Sequence, residues 1–66
     1  MKITLKAARV NAGLTQEQVA QIIKTTKRTM INYELGYTSP RYDVLERLAR
    51  LYRIELDNIE MPKRKK

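Results

Sequence analysis

Apolar residues recur at helical spacing along most of the chain. Leu5, Ala8 and Ala12 lie three and four apart, and Gly13 follows where a helix should end, which predicts a first helix over 4–12. Val19, Ala20, Ile22 and Ile23 set a second helix over 16–23. Thr15 with Gln18 three residues on matches a capping box, and Glu17 adds negative charge to the first turn. After the joint Lys24-Thr25-Thr26, Thr26 is the N-cap candidate of a third helix over 27–35, closed by Gly36. The loop Tyr37-Thr38-Ser39-Pro40-Arg41 leads to a fourth helix, whose wide stripe of Val44, Leu45, Leu48, Ala49, Leu51 and Tyr52 suits a central position. Its start is open: Ser39 caps with Pro40 as the first helical residue, or the helix begins after Arg41. A short fifth helix over 55–59 brings Leu56 and Ile59 inward. No segment sustains period-two alternation, so the expected fold is an all-α, compact five-helix bundle.

Length narrows the function. A chain of 66 residues makes one small domain, here 1–60, followed by a basic, disordered tail over 61–66. A domain of this size buries only about 60% of its unfolded surface. The chain has no cysteine and no histidine, so no disulfide, zinc site or imidazole base is available, and no metal or cofactor is expected. Asp43 with Glu46, and Asp57 with Glu60, are i,i+3 carboxylates of a solvated face, flanked by Arg47 and Arg50. With no Gly-rich phosphate loop and no activated nucleophile, catalysis is not expected. No apolar run approaches a membrane span, and the N-terminus lacks a signal peptide, so the expected location is the cytoplasm.

Charge points to a polyanion. Fourteen Lys+Arg against seven Asp+Glu give +7. The excess is uneven: +2 over residues 1–23, +3 over 24–41, −2 over 42–62 and +4 in the tail 63–66. The tail reads as solvated charge, which leaves the middle segment to be explained.

Two short helices joined by about three residues have the spacing of a helix-turn-helix, whose second helix enters the DNA major groove. Ala20 is the small residue such a crossing needs, flanked by Val19 and Ile23 and answered by Met30 and Tyr33. At about 100° per residue, Met30 and Tyr33 mark the inward face of the third helix. Lys27, Arg28, Ile31 and Asn32 fall on the opposite face. That is a base-reading set: Arg or Lys donates to guanine, Asn pairs with adenine, and an apolar side chain touches a thymine methyl. Ile31 is equally an ordinary exposed isoleucine, and Asn32 fits a phosphate as well as adenine. Gln16, opening the second helix, has free N–H groups nearby that favour an anion. Thr26 is a cap that also lies within reach of phosphate, and Tyr37 and Thr38 are further phosphate donors.

The run Leu14-Thr15-Gln16-Glu17-Gln18-Val19-Ala20, with Thr26, Tyr33-Glu34-Leu35-Gly36, Pro40, and Leu45 through Leu56-Asp57-Asn58-Ile59, resembles the Cro/C1-type (Xre) helix-turn-helix family. The resemblance covers about residues 5–59. It implies a five-helix DNA-binding domain of the phage-repressor type, with Gln16 on the DNA backbone. It places Arg41 either near the minor groove or backbone or simply on the surface of the fourth helix. It also implies a structural ion pair between Arg9 and Glu34. Lys24 and Arg53 depart from the pattern, standing where the family usually has glycine. The expected function is a sequence-specific regulator of transcription, a repressor, binding double-stranded DNA as a homodimer. Its candidate dimer surface is the one with Leu56, Asn58, Ile59 and Met61, unless Leu56 and Ile59 are simply core. The alternative is an antitoxin-type module that neutralises a partner protein. A third reading is a nonspecific binder of nucleic acid or anionic membrane, driven by the tail.

Overall fold

The computed structural model describes residues 2–61. Each helix follows an extended residue, and at the first three a threonine hydroxyl serves a free N–H group. Helix α1 (Leu5–Asn11) opens at Thr4, whose hydroxyl accepts from the Ala7 N–H at 3.1 Å. Helix α2 (Gln16–Ile22) opens on the capping box that the Thr15 and Gln18 spacing predicts. The Thr15 hydroxyl accepts from the Gln18 N–H at 3.1 Å, and the Gln18 side-chain oxygen accepts from the Thr15 N–H at 2.8 Å. Helix α3 (Lys27–Leu35) opens at Thr26, whose hydroxyl accepts from the Thr29 N–H at 3.1 Å.

The helix ends turn by left-handed residues. Gly36 closes α3 at φ 88°, and the N–H groups of Gly36 and Tyr37 both return to the Asn32 carbonyl at 3.0 Å. Two non-glycine residues take the same conformation: Lys24 after α2 (φ 61°) and Arg53 after α4 (φ 57°). Their Cβ atoms make it a strained choice, of about 1 kcal/mol or more each. Helix α4 (Tyr42–Tyr52) starts after Arg41, with Pro40 buried in the loop ahead of it and Ser39 exposed. The second of the two possible starts is therefore the real one.

The expected fifth helix is absent, and the fold is not purely α. Leu56–Asn58 form a single 3-10 turn, and Ile59–Glu60 form a short strand, β2. This strand pairs in parallel with β1 (Ile3–Thr4), with Ile3 opposite Ile59 and Thr4 opposite Glu60. Ile59 is buried and Leu56 half-buried, so both still point inward. A 3-10 turn repeats every three residues, so the spacing that reads as helical is also satisfied by one such turn. The strand partner lies at the other end of the chain, where no local pattern reveals it.

Leu5, Val19, Met30 and Leu48 are the largest fully buried side chains, one from each helix. Burying each contributes roughly 1.5–3 kcal/mol, so these four residues hold the four helices to one centre. Ala8, Ala20 and Ala49 let the backbones approach, and Ile23, Tyr52 and Ile59 complete the core. Arg47 reaches from α4 to the Ile22 carbonyl at the end of α2. Met61 is half-buried against the core. The rest of the expected tail, 62–66, lies outside the described residues. Among the described residues, no helix is long and apolar enough to cross a membrane.

Candidate nucleic-acid interface

Helices α2 and α3 pack on each other through Val19, Ala20 and Ile23 from one side and Met30 from the other, all buried. The turn between them is short because Thr25 returns its N–H to the Ala20 carbonyl at 2.8 Å. Two short helices crossing over a small residue, with a capped second helix, form a helix-turn-helix.

The face of α3 turned away from Met30 carries Lys27 and Arg28, both exposed, and Ile31 and Asn32, both half-buried. Tyr33 is half-buried against the core, on the inward side with Met30. Lys27 makes a loose surface pair with Glu17 of α2, Nζ to Oε1 at 3.5 Å. Both partners are well exposed, and such pairs are worth little, so a phosphate or base edge can exchange with it. Arg28 has no ion-pair partner among the described residues. Its guanidinium therefore points its donors to solvent from the first turn of α3.

The backbone-contact candidates divide. Tyr37, Thr38 and Arg41 are exposed in the loop after α3. Arg41 lies 3.9 Å from Asp43, but both are almost wholly solvated, so the pairing does not hold it. Thr26 is exposed, but its hydroxyl is engaged: it accepts from the Thr29 N–H and shares a 2.9 Å hydrogen bond with the Thr29 hydroxyl. Gln16 is half-buried, and its side-chain Nε2 donates to Glu34 Oε1 at 2.9 Å.

That last bond joins Gln16 to an ion pair beneath the interface. Arg9 of α1 meets Glu34 of α3 through Nε to Oε2 at 2.7 Å and Nη2 to Oε1 at 3.4 Å. The side chains are 12% and 3% exposed. Arg9 Nη1 also donates to the Leu14 carbonyl at 2.9 Å, in the segment that leads into α2. One cluster thus ties α1, the entry to α2, and α3. Tyr52 of α4 adjoins it. Burial pushes its phenol up to about 12, with the Glu34 charge adding to the rise and Arg9 opposing it. The Tyr52 hydroxyl is buried and has no hydrogen-bond partner among the described residues. The links from Glu34 to Gln16 and to Tyr52 escape a reading of the sequence. They join residues 18 apart in the chain, and no periodic pattern marks them.

The segment expected at a dimer surface is largely spent on the core. Ile59 is buried, and Leu56 and Met61 are half-buried against it. The large apolar side chains left exposed are Val10, Ile22, Leu35, Tyr37 and Tyr42. Leu35, Tyr37 and Tyr42 bracket the loop that follows α3.

Residues 5–59 match the profile of a family described as Helix-turn-helix. The chain is 38% identical over 53 residues to the HTH-type transcriptional regulator ImmR of Bacillus subtilis (strain 168), an alignment spanning 80% of this chain and 42% of that protein. It is 36% identical over 52 residues to the cryptic phage CTXphi transcriptional repressor RstR of Vibrio cholerae, spanning 79% of this chain and 47% of the other. The chain therefore spans less than half the length of the curated relatives it matches. The family is clear from these matches: the chain belongs to the Cro/C1-type helix-turn-helix proteins.

Proposed function

We propose that this helix-turn-helix protein regulates transcription by reading double-stranded DNA in the major groove with α3, and that it acts as a repressor. The observation that carries the reading is the face of α3 opposite Met30. It sets exposed Lys27 and Arg28 beside Ile31 and Asn32 on a helix capped by Thr26 and seated on α2. Arg28 and Lys27 donate to guanine edges, Asn32 addresses adenine or a phosphate, and Ile31 touches a thymine methyl. Gln16, Tyr37, Thr38 and Arg41 set the register on the sugar-phosphate backbone, while Thr26 serves mainly as the cap. Both named relatives are transcriptional regulators, one of them a repressor, which supports the same reading.

Nine residues of α3 span about 13 Å, which covers roughly one half-site. A homodimer on a partly palindromic operator supplies the second half-site one helical turn away. Its surface is proposed around Leu35 and Tyr42, exposed at either side of the loop after α3. The site of action is the cytoplasm.

Selection of bound sequences from a random DNA pool, at one fixed physiological salt concentration, tests this. The expected result is an enriched motif with two-fold symmetry. Enrichment without a motif removes sequence-specific regulation and leaves only nonspecific charge-driven binding.

A further inference from the structure

The strongest unassigned feature is the bond between Gln16 and Glu34. A glutamine that opens a helix and reaches for phosphate has three freely rotating side-chain torsions. Fixing them on binding costs rotamer freedom. Here the amide is already held. Nε2 donates one hydrogen to Glu34 Oε1, which leaves its second N–H and the amide oxygen uncommitted. A lone carboxylate at that spot would repel a phosphate. Glu34 is instead neutralised by Arg9 at 2.7 Å, with both side chains withdrawn from solvent. The pair presents an acceptor with little net charge.

We infer that Glu34 is a positioning residue for DNA binding, holding the Gln16 amide in the orientation that donates to a phosphate, with Arg9 cancelling the carboxylate's repulsion. This rests on the reading of Gln16 as a backbone contact. The ion pair that fastens α3 to the scaffold then has a second role, setting the angle between the reading helix and the phosphate anchor. Register along the groove and contact with the backbone become one adjustment rather than two.

Paired replacement separates this from a purely structural role. Arg9→Met with Glu34→Leu removes both charges together, which proteins often tolerate without loss of stability. Binding is measured on the duplex that the parent protein enriches from the random pool. Gln16→Ala should weaken binding about tenfold, as loss of a hydrogen bond to a charged group does. Gln16 carries no charge, so the slope of affinity against salt should stay unchanged. The paired variant should lose the same factor, and adding Gln16→Ala to it should lose nothing more. Arg9→Met with Glu34→Gln restores an uncharged acceptor and should recover most of the affinity.

A paired variant that binds like the parent, and still loses tenfold on Gln16→Ala, overturns the inference. If Gln16→Ala alone has no effect, it is the backbone-contact reading of Gln16 that fails, and the inference falls with it. A pool that yields no enriched duplex removes both. If the paired variant does not fold, side-chain amide relaxation in the free parent protein decides. The Gln16 amide should be markedly more ordered than that of exposed Gln21, and equal mobility would overturn the proposal.

Discussion

Tyr52 places a polar group within the core. Its ring is core, only 5% exposed, while its hydroxyl is buried near Glu34 and Arg9 with no hydrogen-bond partner among the described residues. An unsatisfied buried hydroxyl destabilises, so Tyr52→Phe should raise thermal stability by about 1 kcal/mol. Alkaline pH gives a sharper check. The unfolded phenol ionises near 10.0 and the folded one at about 12, so the folded state keeps a proton that the unfolded chain loses. The contribution of Tyr52 to stability is whole below pH 10 and falls away as pH rises toward 12. Melting curves of the parent and of Tyr52→Phe should therefore diverge across that window, the variant losing less. Arg28 poses the corresponding question for DNA. Arg28→Ala should cost about 1–3 kcal/mol of affinity and relax preference at one base position. Equal loss on every sequence would make it a phosphate contact. Ile31→Ala should relax preference at an A·T pair with little change elsewhere, as competition binding on operator variants would show.

Caps and left-handed ends define the elements, and they were the most legible part of the chain. Thr26 and Gly36 bound α3 at the residues their chemistry implies, because a cap hydroxyl and a glycine at positive φ act within a few residues of themselves. The end of the fold is hidden from local pattern for the opposite reason. Leu56 and Ile59 are inward at a spacing of three, but what settles their structure is a strand 56 residues away. The candidate reading face shares this split. The wheel of α3 follows from local periodicity, whereas the Gln16 to Glu34 bond depends on how three elements dock. Two tests belong at this scale. Thr26→Ala should cost about 1 kcal/mol of stability, and if the hydroxyl is only a cap, affinity of the folded fraction should be unchanged. Lys24→Gly relieves a left-handed lysine at φ 61° and should stabilise by about 0.5–1 kcal/mol in chemical denaturation.

Across the whole molecule, charge and apolar surface are separable. Removing residues 63–66 takes away +4 of the +7. Affinity should fall and its salt slope should flatten, while the ranking of operator variants stays the same. Loss of all binding would favour the tail as the sole driver. If Leu35 and Tyr42 meet their copies, Tyr42→Glu should abolish cooperative binding to a two-half-site duplex and leave single half-site affinity nearly intact. The pairing of Ile3 with Ile59 carries a different consequence. With its first and last elements side by side, the fold is close to a ring, and where that ring is cut becomes a choice rather than a given. A circular permutant, with a short linker bridging β2 to β1 and new ends opened at the exposed Ser39, should preserve the helix packing. In such a chain α4 would be synthesised before α1, and α3 would emerge last from the ribosome.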